Sequence, residues 1–206
     1  MNEQKKYEFT GEIKVVFGIN FKQIRAIINF GCVVAGEIGG WIECEENLSQ
    51  SGNAWVYGDA RVYGNARVSG DARVYGNARV SGNARVYGDA SVSGNASVYG
   101  DARVYGNAWV SGDARVSGNA SVSGNADVKK DDDYMVIGGA GRYNRFTTFF
   151  KCRDKTIKVI CGCFFGTIIE FRAKVKETHK GNKHEKVYLA MADMAELQIG
   201  NDEVEK

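Results

Sequence analysis

The chain has no apolar run long enough to cross a membrane as a helix. Its first residues, Met1-Asn2-Glu3-Gln4-Lys5-Lys6, lead into alternating sequence rather than the apolar stretch of a signal peptide. It has only two histidines, His179 and His184, too few for a three-histidine zinc site. Charge asymmetry is small: net −2 over residues 1–50, +1 over 51–128 and +3 over 129–206. That balance excludes an acidic DNA mimic and gives nucleic-acid binding little electrostatic support. The five cysteines (Cys32, Cys44, Cys152, Cys161, Cys163) are odd in number and follow no secretory signal. They read as reduced thiols of a cytoplasmic protein. With 206 residues, 44% of them hydrophobic and 25% charged, the chain can bury a sizeable core.

What the chain has in abundance is repetition. Residues 51–128 form thirteen unbroken hexads of the pattern [Ser/Tyr]-Gly-[Asn/Asp]-Ala-x-Val. A fixed period of this kind marks a solenoid, whose units bury their apolar faces only by stacking on one another. Ala and Val stand two positions apart, so both point to the same side of a strand, inward. Gly and Asn/Asp precede each Ala and suit a corner with positive φ. Read in the frame Val62-Tyr63-Gly64-Asn65-Ala66-Arg67, the unit resembles the hexapeptide repeat of left-handed parallel β-helices. The resemblance implies three hexads per triangular coil and about 4.3 coils, each rising about 4.8 Å. Residues 33–50 fit the register less regularly, with Gly36, Ile42 and Leu48 in the Ala slot and Ile38, Cys44 and Gln50 in the Val slot. They are expected to form an imperfect first coil, so that the β-helix spans 33–128.

Residues 1–32 carry two strand-like runs, Lys6 to Thr10 and Phe21 to Phe30, around a turn near Gly18-Ile19-Asn20. They predict a hairpin that caps the open solenoid end, which would otherwise invite edge pairing. Residues 129–133 read as a charged linker. From 134 to 206 the period disappears and a small α+β domain is expected. Its strands are Tyr134 to Ile137, Phe146 to Cys152 and Thr156 to Cys161, with a turn at Arg153-Asp154-Lys155. Thr167-Ile168-Ile169-Glu170 is a capping box opening a helix with Phe171 and Val175 on one face, ending near Gly181-Asn182. A second helix over about 183–199 places Val187, Met191, Met194 and Ala195 on one stripe.

Many hexapeptide-repeat proteins are acyltransferases with a histidine near the coil surface and a loop protruding over acyl-CoA. Both histidines here lie beyond the repeat, and the thirteen hexads carry no inserted loop, so no catalytic residue is assigned. Ice binding resembles flat threonine arrays, and the repeat contains no threonine. Stacked columns of arginine beside tyrosine on the coils are able to bind phosphates or bases. The plainer reading is that arginine stems cover tyrosine while Asp59, Asp71, Asp89, Asp101 and Asp113 neutralise the guanidinium groups. Trp55, Tyr87, Tyr105 and Trp109 form the expected aromatic surface for side-by-side packing into a dimer or trimer. Cys161-Gly162-Cys163 with Cys152 and a histidine spells a possible Cys₃His set, but buried thiols are the better reading, and no metal or cofactor is assigned. Gly138-Gly139-Ala140-Gly141 follows a strand and leads into another strand, which favours a turn over a phosphate loop.

Gly39-Gly40-Trp41-Ile42-Glu43, Glu46-Asn47-Leu48-Ser49 and the first hexads resemble the YdcK-like hexapeptide-repeat proteins of bacteria and phages, often classed as transferases by fold analogy. The block Thr147-Thr148-Phe149-Phe150, Cys161-Gly162-Cys163-Phe164 and Phe171 to His179 resembles the domain that follows such repeats in phage and prophage members. The resemblance implies a nonenzymatic interaction protein in the cytoplasm of a bacterial host, with an anti-defence role. It would bind a host macromolecule or sequester a small anionic ligand. An acyl- or nucleotidyl-type transferase and a structural assembly component are the alternatives. A nearly uniform repeat suits self-packing better than recognition, so the binding residues are expected in the C-terminal domain. They are Arg142, Asn144, Arg145, Thr147 and Thr148 around one strand, with Gly166 and Thr167 at a helix start whose free N–H groups suit an anion.

Overall fold

A computed structural model describes residues 5–141 and 144–200. Each hexad from Trp55–Val56 to Asp127–Val128 contributes one two-residue strand. Each of the first ten pairs in parallel with the strand 18 residues on, as Arg61 does with Arg79 and Trp55 with Arg73. Three flat sheets result, and with the first coil they make a three-sided parallel β-solenoid of about five turns. Every repeat Ala from Ala54 to Ala126 and every repeat Val from Val56 to Val128 is fully buried along its axis. The coils are joined by backbone hydrogen bonds such as Arg79 N to Ala96 O and Ser81 N to Val98 O, both 2.9 Å. Glycine is required at the corners for two reasons. The repeat glycines hold φ between 57° and 72°, and a Cβ on most of them would press on the backbone of the glycine one coil away.

The first coil departs from the register read in the sequence. Ile42 pairs with Val62 and Leu48 with Val68, so these residues occupy the Val slot rather than the Ala slot. The reason is volume: their branched side chains fill the space left by valine, not the one left by alanine. Leu48 and Val56 are consequently eight residues apart instead of six, and the stretch before Trp55 absorbs the excess. Ile38, assigned inward, is half exposed.

At the N-terminal end, β1 (Tyr7–Val16) and β2 (Ile19–Ala26) form an antiparallel hairpin, and β2 pairs with β3 (Ile38–Ile42), which joins the solenoid sheet. The first strand runs longer than the expected Lys6 to Thr10, whereas the second starts two residues early and ends at Ala26 rather than Phe30. Tyr7, Ile24 and Ala26 share the solenoid core. Lys6 is buried there too, donating from Nζ to Ala54 O at 2.9 Å and Gly52 O at 3.2 Å.

At the other end, the stretch expected as a charged linker is instead a tight turn. Asp131–Asp133 is a 3-10 helix, and the buried Asp133 carboxylate accepts from the N–H groups of Lys129 and Lys130 at 2.8 and 3.0 Å. A four-stranded antiparallel sheet follows: Tyr134–Ala140, Arg145–Lys151, Ile157–Cys161 and Phe164–Thr167 in sequential order. The sequence pattern anticipated the first three strands and missed the fourth. One face of this sheet places Tyr134, Phe150 and Cys152 on the last coil, within the solenoid core. Its other face places Met135, Phe149 and Val159 against α1 (Ile168–His179) and α2 (Lys183–Ile199). The alternation of strand side chains thus serves two cores at once.

The buried stripe of α2 consists of Tyr188, Met191, Ala192, Ala195 and Ile199. Val187 and Met194, placed on that stripe from the sequence, are exposed. Met191 and Ala195 fit either stripe, and the position of the sheet decides between them.

Candidate functional site

The expected binding residues divide once the chain is folded. Thr147 and Thr148 are buried, because they stand on opposite faces of a central strand. Thr147 donates from Oγ1 to Cys161 Sγ at 3.2 Å, and Thr148 Oγ1 accepts from Ser121 N at 3.0 Å, fastening the sheet to the solenoid. Neither is open to a partner. Thr167 is the N-cap of α1, and its helix start is already occupied. Glu170 N donates to Thr167 Oγ1, while Glu170 Oε2 accepts from Thr167 N at 2.7 Å and Thr167 Oγ1 at 2.9 Å. Those hydrogen bonds hold the Glu170 carboxyl below the usual carboxylate range, so the chain supplies its own anion there. Gly166 lies against the same carboxylate. Arg142 lies outside the described residues. Asn144 takes a left-handed conformation, φ 49°, in the turn before Arg145.

Arg145 is the predicted residue that lines a cavity. This cavity, about 570 Å³, opens where one end of the four-stranded sheet meets the two helices. Phe164, Phe171, Val175, Ala140 and Tyr188 make its apolar wall, and Arg145, Lys174 and His179 supply three basic groups. Cys161, Cys163 and Thr178 complete the lining, which includes no carboxylate among the described residues. Its size falls in the range of small-molecule sites, which combine apolar walls with a few polar groups.

The wall is held by aromatic contacts. Phe171 meets Tyr188 edge-on at 5.9 Å and Phe164 at 5.5 Å, and the His179 ring stacks on Tyr188 at 5.4 Å. Burial, reinforced by Cys161, raises the pKa of the Tyr188 hydroxyl, so it stays a neutral phenol at physiological pH. Two glycines make room: Gly141 lies against the Tyr188 hydroxyl and Gly162 against the Arg145 guanidinium, and a Cβ on either would collide. The glycine run thus serves close packing, with Gly138 against the Phe146 ring.

The sequence placed His179 beyond the repeat with no catalytic role and did not single out Lys174 or Tyr188 as site residues. The signal was present on α1: Phe171, Lys174, Val175, Thr178 and His179 follow the i, i+3, i+4, i+7, i+8 spacing of one helix face. Cys152 does not join Cys161 and Cys163, which both border the cavity. Cys152 packs on the solenoid, where burial pushes its thiol up to about 11, while Cys161 faces the helix layer. Cys161 and Cys163 flank a hairpin turn at Gly162 rather than lying together on one strand face.

The four aromatic residues expected on one packing surface are dispersed. Trp55 is fully buried beneath the N-terminal hairpin, ringed by Tyr7, Phe30 and Tyr57. Trp109 is exposed, with the Arg153 guanidinium 4.6 Å from its ring centre. Tyr87 and Tyr105 stack in parallel at 5.0 Å, and Tyr87 borders the Arg67, Arg85 and Arg103 column rather than the Trp109 face. Each tyrosine follows a valine at the end of a strand. It therefore leaves the coil on the same face as the residue two before it.

Comparison with known proteins agrees with the solenoid. Residues 60–76, 72–88, 78–94, 84–100, 96–112 and 108–124 match the family described as YdcK Beta solenoid repeat. A stretch of 36 residues is 53% identical to the uncharacterized acetyltransferase YdcK of Escherichia coli (strain K12). It covers 18% of this chain and 11% of that protein. With the register, the buried Ala and Val columns and the glycine corners, these matches identify the repeats of this chain as YdcK-type β-solenoid repeats.

Proposed function

We propose that the solenoid is a rigid scaffold and that the C-terminal cavity binds a small anionic ligand with a flat, apolar body. The observation that carries this reading is the cavity's composition: Arg145, Lys174 and His179 beside an aromatic wall, with no carboxylate among the described lining residues, although Lys174 Nζ also pairs with Glu177 Oε2 at 2.9 Å just outside. The Arg145 and Lys174 side chains suit a phosphate, sulfonate or carboxylate, and Phe164, Phe171 and Tyr188 suit a ring. In the phage or prophage setting that the sequence resemblance implies, sequestering such an anion would serve an anti-defence role.

The test uses anilinonaphthalene sulfonate as an aromatic anion, together with native mass spectrometry of the purified protein for retained ligand. Saturable binding of the dye should weaken about a hundredfold in Arg145→Ala/Lys174→Ala, since charge-assisted contacts contribute roughly 1.5–3 kcal/mol each. Unchanged affinity in that variant would remove the cavity from consideration.

A transferase is the second reading, favoured by His179 in the cavity wall and by the name of the YdcK relative. Turnover of acetyl-CoA that disappears in His179→Ala would establish it over simple binding.

A further inference from the structure

The repeat arginines were expected to be neutralised by the repeat aspartates, and the fold separates them. Asp carboxylates sit at the corners, where they accept from the asparagine one coil above: Asn83 Nδ2 to Asp101 Oδ1 and Asn95 Nδ2 to Asp113 Oδ1, both 3.0 Å. Asp71 accepts from Asn53 N, and Asp59 pairs with Lys14. Among the described residues, no carboxylate makes an ion pair with Arg67, Arg85 or Arg103. Glu46 lies near enough to feel the charge of Arg67, but it does not pair with it.

These three arginines form an unbroken column. Arg67 pairs with Arg85, and Arg85 with Arg103, in successive strands of one sheet, about 4.8 Å apart. The other two sheets interrupt theirs: Ser97 stands between Arg79 and Arg115, and Ser91 between Arg73 and Trp109. Like charges placed directly opposite on neighbouring strands repel. Here they line one open groove of about 430 Å³ with Ser69 and Tyr87, and the Tyr87–Tyr105 stack marks its rim.

We infer that this groove binds a linear oligophosphate, whose chain of anionic oxygens lies along the arginine column. Three guanidinium groups in line offer forked donors to successive phosphates and relieve their mutual repulsion by sharing an anion. Single-stranded nucleic acid fits less well. It needs aromatic faces open to successive bases, whereas Tyr87 and Tyr105 cover each other's facing sides.

Isothermal titration of the full chain with sodium tripolyphosphate at low ionic strength tests this. One saturable site per chain is expected. Binding should weaken about tenfold or more in Arg85→Ser and remain unchanged in Arg79→Ser on a neighbouring sheet. Serine already occupies this hexad position at Ser91, Ser97 and Ser121, so both variants keep the coil. The inference is overturned by absence of binding at millimolar tripolyphosphate, or by equal weakening in Arg79→Ser. It also fails if a single-stranded oligothymidine binds more tightly than tripolyphosphate.

Discussion

The cost of a methyl group at a solenoid corner should depend on whether another coil lies beneath it. Gly88 and Gly118 occupy the same hexad position with φ of 70° and 62°. Alanine at either pays for the left-handed conformation, roughly 1–2 kcal/mol. The two differ in what the new Cβ meets. At Gly88 it would stand 3.0 Å from Gly106 N and 3.4 Å from Gly106 Cα and O. Those are backbone atoms of the next coil, adjoining Tyr105, whose N–H donates to Val122 O of the following coil at 3.0 Å, and they have little freedom to retreat. At Gly118 nothing lies within 4 Å, because its column ends there. Overpacking typically adds 1–3 kcal/mol. Gly118→Ala should therefore cost about 1–2 kcal/mol and Gly88→Ala about 2–5 kcal/mol. In a chain of this length each kcal/mol lowers Tm by about 2–4 °C. Thermal melts followed by circular dichroism separate the two variants, and limited proteolysis locates the opened coil, since repeat arrays need not unfold in one step. Equal losses in the two variants would refute the reasoning: positive φ alone would then set the cost, and the stacked corners would not be closely packed.

Trp55→Ala should destabilise the chain by about 3–5 kcal/mol, because it empties a buried indole site beneath the hairpin, whereas Trp109→Ala should cost less than about 1 kcal/mol; urea midpoints of the two variants check the contrast. The Lys6 ammonium is pushed down to about 8 by burial, from 10.5. Between those two values the unfolded chain keeps a proton that the folded chain has released, so the contribution of Lys6 to stability rises with pH across that window. The unfolding free energy of the wild type relative to Lys6→Met should increase from pH 8 to pH 10.5, and a pH-independent difference would contradict it.

The hexad sequence by itself determined the solenoid. Ala and Val at a spacing of two, followed by a corner glycine, repeat without a break, and each coil repeats the conditions of the one before it, so local pattern and global fold coincide. The helices were equally legible where their ends are local: Thr167 with Glu170 opens α1, and Asn182 accepts from His184 N and Glu185 N to open α2. Tertiary structure decided what depends on a partner distant in sequence. Trp55 carries the same hexad position as exposed arginines, yet it is buried because Tyr7 of the N-terminal hairpin and Phe30, both distant in sequence, fold over it. Thr147 and Thr148 looked like surface polar groups until their sheet was placed between a solenoid end and a helix pair. Aspartate and arginine alternate along the chain as if to neutralise each other, yet the corners hold the one and the faces the other. The C-terminal cavity gathers residues from Ala140 to Tyr188 across six elements, four strands and two helices. A side chain's periodicity fixes which face of its own element it occupies, but only packing against another element fixes whether that face is covered, and by what.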